Sequence, residues 1–164
     1  MIPIGLRVDT PWSRTQHRGQ RPRTSRCVIY VFDIIYFEGH ILMVWVVRLC
    51  PAFVDDLLAL PKTVQTELLA QASIIERFGP HAGRPRIDTL KGSRHSNMKE
   101  LRFDAAGGVW RVAFAFDLRR EAVLLAVANK AGVPKERFYR RLIERADQRF
   151  STHQARLRTA PARH

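Results

Sequence analysis

Cysteine is nearly absent from this chain of 164 residues: Cys27 and Cys50 are the only two. They match no zinc-ligand or redox spacing and are too few for a disulfide framework, which points to a reducing cytoplasm. An uninterrupted apolar run of about 20 residues, the length that spans a bilayer, is missing as well. Cys27 to Cys50 is rich in Val, Ile, Tyr and Phe, but Asp33, Glu38, His40 and Arg48 break it, so no membrane segment is expected. Met1 to Arg26 has neither an apolar stretch nor a small-residue cleavage pattern and does not read as a secretion signal. There is no glycine-rich phosphate loop; Gly107-Gly108 reads as a turn. His17, His40, His81, His153 and His164 are scattered, so neither a metal site nor a cofactor is expected. Acidic residues are also scarce, 15 against 28 Lys and Arg, which leaves a net charge of +13. An excess of this size suits a polyanionic partner, because cations on phosphates release condensed counterions.

What is present divides into two parts. Pro11 to Arg26 mixes Arg, Thr, Gln and Pro without an apolar period and reads as disordered. Cys27 to Phe37 suits a strand by composition. Met1 to Leu42 is therefore expected to be a dispensable extension, with Met43 as an alternative natural start. Removing its six Lys/Arg and three Asp/Glu leaves the remainder at +10. The rival expectation is an arm that adds a strand, Val28 to Phe32, to a sheet edge.

The domain pattern runs from residue 43 to 158. Val44-Trp45-Val46-Val47 predicts a strand, and Pro51 opens a short helix to about Leu60. Pro61 suits the first position of a longer helix whose buried stripe is Val64, Leu68, Ala72, Ile75 and Phe78, ended by Gly79-Pro80. His81 to Asp88 reads as a loop. Strands are predicted near Lys99–Asp104, Val109–Phe116 and Glu121–Ala128; the short connections between them make an antiparallel meander. The final helix spans about Pro134 to Leu157, with Phe138, Leu142, Ala146 and Phe150 as its apolar stripe, and residues 159–164 should fray. The expected fold class is α+β: two helices, then a small, mainly antiparallel sheet, then a C-terminal helix.

Period two in the first two meander strands sorts side chains by face. Leu101, Phe103, Trp110, Val112, Phe114 and Phe116 share the core phase, which leaves Arg102 and Arg111 on the opposite face beside the small Ala113 and Ala115. Lys130 follows the third strand, and Arg137 and Tyr139 lie in the first turns of the last helix. Guanidinium, ammonium and phenol groups around small residues suit a phosphodiester. Arg111 is read as a bidentate grip on the scissile phosphate, with Arg102 beside it; the competing role for Arg111 is an internal salt bridge, for example to Glu100. Lys99 or Lys130 would move protons, helped by like-charge repulsion that depresses a lysine pKa, and base and acid are not separable at this stage. Lys99 has core parity if its strand is regular, so it is placed at the strand entrance. Tyr139 is read as a stacking platform or a hydroxyl near the cleaved bond, with a second core aromatic as the alternative. His95 is an acid, a base or a structural group.

Taken in order, Leu90-Lys91-Gly92-Ser93-Arg94-His95-Ser96-Asn97-Met98-Lys99-Glu100-Leu101-Arg102, Trp110-Arg111-Val112-Ala113-Phe114, Ala128-Asn129-Lys130 and Glu136-Arg137-Phe138-Tyr139 resemble the RelE/ParE toxin superfamily and, within it, the HigB-like, phage-derived branch. The resemblance covers roughly Val44 to Leu157. It implies a small ribonuclease fold with a helix pair on an antiparallel sheet. It also implies action on messenger RNA at the ribosome and silencing by a helix-turn-helix, HigA-like antitoxin that carries the complex to operator DNA. Superfamily members resemble this chain in the arginine at Arg111 and often in the tyrosine at Tyr139. The implied catalytic set is Lys99, Arg102, Arg111, Lys130 and Tyr139, with Lys91, Arg94, His95 and Arg137 as RNA contacts. The expected reaction is metal-independent attack of a 2′-hydroxyl on its neighbouring phosphate. The alternatives are a ParE-like poison that binds a protein such as DNA gyrase, and a module that grips nucleic acid without cutting it.

Overall fold

The computed structural model describes residues 45–159 and three two-residue strands before them: β1 (Ile29–Tyr30), β2 (Tyr36–Phe37) and β3 (His40–Ile41). The expectation of disorder for Met1 to Leu42 lies otherwise outside the described residues; so does that of fraying for residues 159–164, except at Thr159, which is the last residue of a helix. Next come β4 (Val47–Leu49), α1 (Pro51–Leu58), α2 (Lys62–Phe78), β5 (Ile87–Thr89), β6 (Met98–Ala105), β7 (Gly108–Phe116), β8 (Ala122–Asn129) and α3 (Lys135–Thr159). One sheet has the order β1-β4-β8-β7-β6-β5, and β2 pairs with β3 apart from it. Every neighbour in the large sheet is antiparallel except β4 and β8. This is the α+β architecture the sequence predicts, three helices on a mainly antiparallel sheet.

Local chemistry explains most of the elements. Proline at its first turn opens α1, which buries Phe53 and Leu57 one turn apart. In α2 the buried positions are Val64, Leu68, Ala72 and Ile75, the 3.6-residue stripe of a helix lying on a sheet. Phe78, expected to extend that stripe, is instead 49% exposed, because the helix ends there and Arg77 lies over its ring. Pro61 is the N-cap rather than the first helical residue. Gly79 closes α2 with φ +52°, and any Cβ there would collide with the Trp45 indole. The first strand of the domain starts at Val47, later than expected, because the Trp45 N–H donates to the Glu76 carbonyl of α2 instead of to a strand. β8 sits inside the sheet, and Ala122 to Val127 are all buried, as befits a strand covered on both faces. β5 lies in the stretch read as a loop; three residues after a Pro85 turn are too few to show a period.

One carboxylate of α2 titrates away from its ordinary range. Glu76 is half-buried, and burial raises its carboxyl from 4.5 to about 7. A folded-state pKa above the unfolded one means that the folded chain binds the proton more tightly. The stability contribution is therefore whole below pH 4.5 and is lost as the pH rises through about 7. Glu76→Gln is expected to raise the melting temperature at pH 8 and to leave it nearly unchanged at pH 4.5, as thermal melts at the two pH values will show.

The two faces of the sheet carry different loads. Leu101, Phe103, Val112 and Phe114 are buried on the side of α2, where the Trp45 ring meets Phe116 edge-on with centroids 5.3 Å apart. The other face is covered by α3, whose Phe138, Leu142, Ala146 and Phe150 are buried as expected.

Candidate active site

Strand register assembles the site beneath α3. Arg102 stands opposite Arg111 and Glu100 opposite Ala113, while Ala128 and Ala126 continue the same two rows on β8. Alternation puts all six side chains on the α3 face, and the alanines leave space beside Arg111. β8 ends at Asn129; Lys130 then turns the chain, its N–H donating to the Val109 carbonyl. α3 begins after Pro134, with the Phe138 N–H bonded to the Pro134 carbonyl. Phe138 enters the core, and Tyr139, about 100° further round the helix, leans over the row of charges.

At the centre lies Glu100, only 2% exposed. Its Oε1 accepts hydrogen bonds from Arg102 Nε at 2.9 Å and Arg102 Nη2 at 2.5 Å. The Tyr139 hydroxyl reaches the same oxygen at 3.4 Å. Arg102 Nη2 also donates to Asp88 Oδ2 at 2.9 Å, and Arg84 pairs with the same oxygen at 2.9 Å. Arg111 is held differently. Its Nη1 donates to the carbonyl of Trp110 at 2.8 Å, and its Nε lies 3.9 Å from Glu100 Oε2. Neither of these last two atoms, both buried, has a hydrogen-bond partner among the described residues. Lys130 Nζ sits 5.3 Å from the Tyr139 ring centroid, a cation–π distance. Burial, and then the charge of Glu100, raises the Tyr139 phenol above its usual range against the pull of Arg111. The hydrogen bond from Arg84 is the largest cause holding the Asp88 carboxyl below the usual range.

The structure thus gathers Arg102, Arg111, Lys130 and Tyr139 and separates the remaining predicted residues from them. Lys99 faces the other way: β6 is already regular at Met98, so Lys99 shares the Leu101 side of the sheet. Arg137 is exposed and lies about 200° from Tyr139 around α3, pointing away from the hollow. The β5–β6 loop is tied to α3 further along. Ser93 Oγ donates to Asp147 at 2.5 Å, the Arg94 N–H to the same carboxylate at 3.1 Å, and the His95 ring meets Ser151 Oγ at 3.1 Å. Asp147 is about 12 Å along the helix from Tyr139. His95 also packs edge-on against Phe150, which makes it an anchor of the loop, while Lys91 and Arg94 are exposed on that loop.

Two residues of the site carry more weight than the sequence reading assigned them. Glu100 shares its parity with Arg102, so the period of β6 alone was enough to place it there. Asp88 was hidden because it belongs to the short β5, where it pairs with Glu100. No group of three or more His, Cys, Asp or Glu able to hold a metal ion occurs among the described residues, and no helix among them is long and apolar enough to cross a membrane.

Comparison with known proteins identifies the family of the chain. Residues 55–151 match the family described as phage derived protein Gp49-like (DUF891). The Mycobacterium tuberculosis protein named "Putative toxin HigB2" is 43% identical over 98 residues, which cover 58% of this chain and 48% of that protein. "Putative toxin HigB3" of the same organism is 42% identical over 91 residues, covering 56% of this chain and 77% of the relative. The chain thus spans about half the length of the first relative and most of the second. No solved structure matches it significantly. On a family match over more than half of its residues, the chain belongs to the phage-derived Gp49-like family, as a HigB-like toxin homologue consistent with the RelE/ParE superfamily.

Proposed function

We propose that this protein is the toxin of a toxin–antitoxin pair and acts in the cytoplasm as a metal-independent endoribonuclease on messenger RNA at the ribosome. The observation that carries the reading is Arg111: a half-buried guanidinium whose buried Nε has no hydrogen-bond partner among the described residues and meets Glu100 only at 3.9 Å, near Tyr139 and Lys130. In this mechanism Arg111 binds the non-bridging oxygens of the scissile phosphate and stabilises the charge that develops as the 2′-hydroxyl attacks. Tyr139 orients the base or the phosphate, the Lys130 ammonium gives a proton to the leaving 5′-oxygen as its bond to phosphorus breaks, and the proton of the attacking 2′-hydroxyl passes to water. Lys99, facing the other side of β6, has no direct part in that step. The products are a 2′,3′-cyclic phosphate and a 5′-hydroxyl. The net charge of +13 favours RNA docking on the surface outside the hollow, where Lys91, Arg94 and Arg137 are exposed.

Incubating the purified protein with RNA, alone and on translating ribosomes in the presence of a chelator, tests this. Cleavage with cyclic-phosphate ends is expected. Growth inhibition without any cleavage would favour a ParE-like poison that binds a protein such as DNA gyrase. One observation speaks for that second reading: Glu100 and Asp88 already neutralise Arg102. A HigA-like helix-turn-helix antitoxin, encoded beside this gene, is proposed to silence the toxin and to bring it to operator DNA; co-purification and operator-binding assays decide this. Residues 1–42 are proposed to be dispensable. The pairing of β1 with β4 is the observation in favour of a genuine arm, and the activity of a chain beginning at Met43 distinguishes the two.

A further inference from the structure

Glu100 has no place in the mechanism above, yet it occupies the centre of the site. One oxygen carries all its hydrogen bonds, from Arg102 and at longer range from Tyr139. The other, Oε2, is buried and faces the equally buried Arg111 Nε across 3.9 Å. That gap is too long for a hydrogen bond. A pair serving only the fold would close it, since a buried donor and acceptor left unmade are both costly. Arg102 does not depend on Glu100 alone, because Asp88 holds its Nη2 at 2.9 Å.

We propose that Glu100 is the resting occupant of an oxyanion seat formed by Arg111 and Tyr139, and that a phosphate or phosphodiester binds there by displacing its carboxylate. Arg102, pinned by Asp88, is the tether to which Glu100 is bound at rest, and Arg111 is the arginine that the ligand takes over. A phosphate has oxygens for both the Arg111 Nε–H and the Tyr139 hydroxyl, and Lys130 adds a second cation beside the ring. Displacing a carboxylate weakens binding of every anion, so free phosphate binds weakly and ligands also held by contacts elsewhere on the basic surface bind more tightly.

This inference rests on the proposed phosphodiester site, but its test does not require catalysis. Inorganic phosphate and a 2′-deoxy dinucleotide, which lacks the attacking hydroxyl, are titrated calorimetrically into the full chain and into Glu100→Gln. The variant is expected to bind both about tenfold more tightly, because the amide keeps the shape and removes the competing charge. Equal or weaker binding by a folded Glu100→Gln protein overturns the proposal, even if the native protein cleaves RNA. Tighter binding by the variant upholds it, even if no RNA is ever cut. Should the variant not fold, side-chain NMR of the native protein decides. The Arg111 Nε–H resonance is expected to move on phosphate addition while that of Arg102 stays, and movement of Arg102 or stillness of Arg111 overturns the proposal.

Discussion

Arg111→Ala is expected to lower RNA cleavage by about a hundredfold or more, the loss typical when a preorganised donor to a transition-state oxyanion is removed. Stability should change far less. The contact between Arg111 Nε and Glu100 Oε2 at 3.9 Å is already outside hydrogen-bonding range, and Glu100 keeps both bonds from Arg102 when Arg111 is gone. Ala113, Ala126 and Ala128 around the position carry no charge that its loss would strand. Arg111→Lys should restore only part of the rate, because an ammonium keeps the charge and lacks the planar fork. Single-turnover cleavage, measured alongside near-ultraviolet circular dichroism, separates the two effects. A folded Arg111→Ala protein cleaving at the native rate would remove Arg111 from the mechanism.

Arg102→Ala is expected to do the reverse of this and act mainly on the fold, costing about 3 kcal/mol in denaturant unfolding. Its guanidinium makes both short bonds to Glu100, whose side chain is only 3% exposed, and removing it leaves a carboxylate buried without compensation. The Arg102 side chain is itself 32% exposed, so solvent moderates the loss and the lower end of the range for breaking a buried ion pair applies. The double change Arg102→Ala with Glu100→Gln should recover much of the stability, since the amide carries no charge to strand. A strictly additive double mutant would show that the two residues are not coupled.

The site was legible in the sequence wherever strand parity decided it. Arg102 and Arg111 were assigned to one face because Leu101, Phe103, Val112 and Phe114 claim the other, and they stand opposite one another in the structure. Tyr139 followed from its place beside Phe138 on a helix, since neighbouring residues cannot both point into the same core. Lys99 shows the cost of setting parity aside. Treating it as a strand entrance moved it toward the site, whereas β6 is regular from Met98 and keeps it on the Leu101 face. The same parity puts Glu100 among the cations, where it meets Arg111 at 3.9 Å, the internal pair that the sequence offers as the competing role of that arginine.

The order of elements, the stripes of α2 and α3, the meander of β6 to β8 and the face of the sheet that carries arginine can all be read from the chain's local patterns. These depend on periods of two and 3.6 and on proline and glycine at element ends, all properties of neighbours along the chain. What each charge meets is instead a matter of long-range packing. Asp88 reaches Arg102 through β5, a strand too short to have a period, and Arg84 reaches Asp88 from the turn before it. His95 was drawn from the list of reactive groups to Ser151 and Phe150, on a helix 56 residues further along the chain. Whether a cation is a ligand for substrate or one half of an internal pair depends on which carboxylate lies within about 4 Å. That distance is set by the register of three strands and the docking of α3, contacts between residues far apart in sequence.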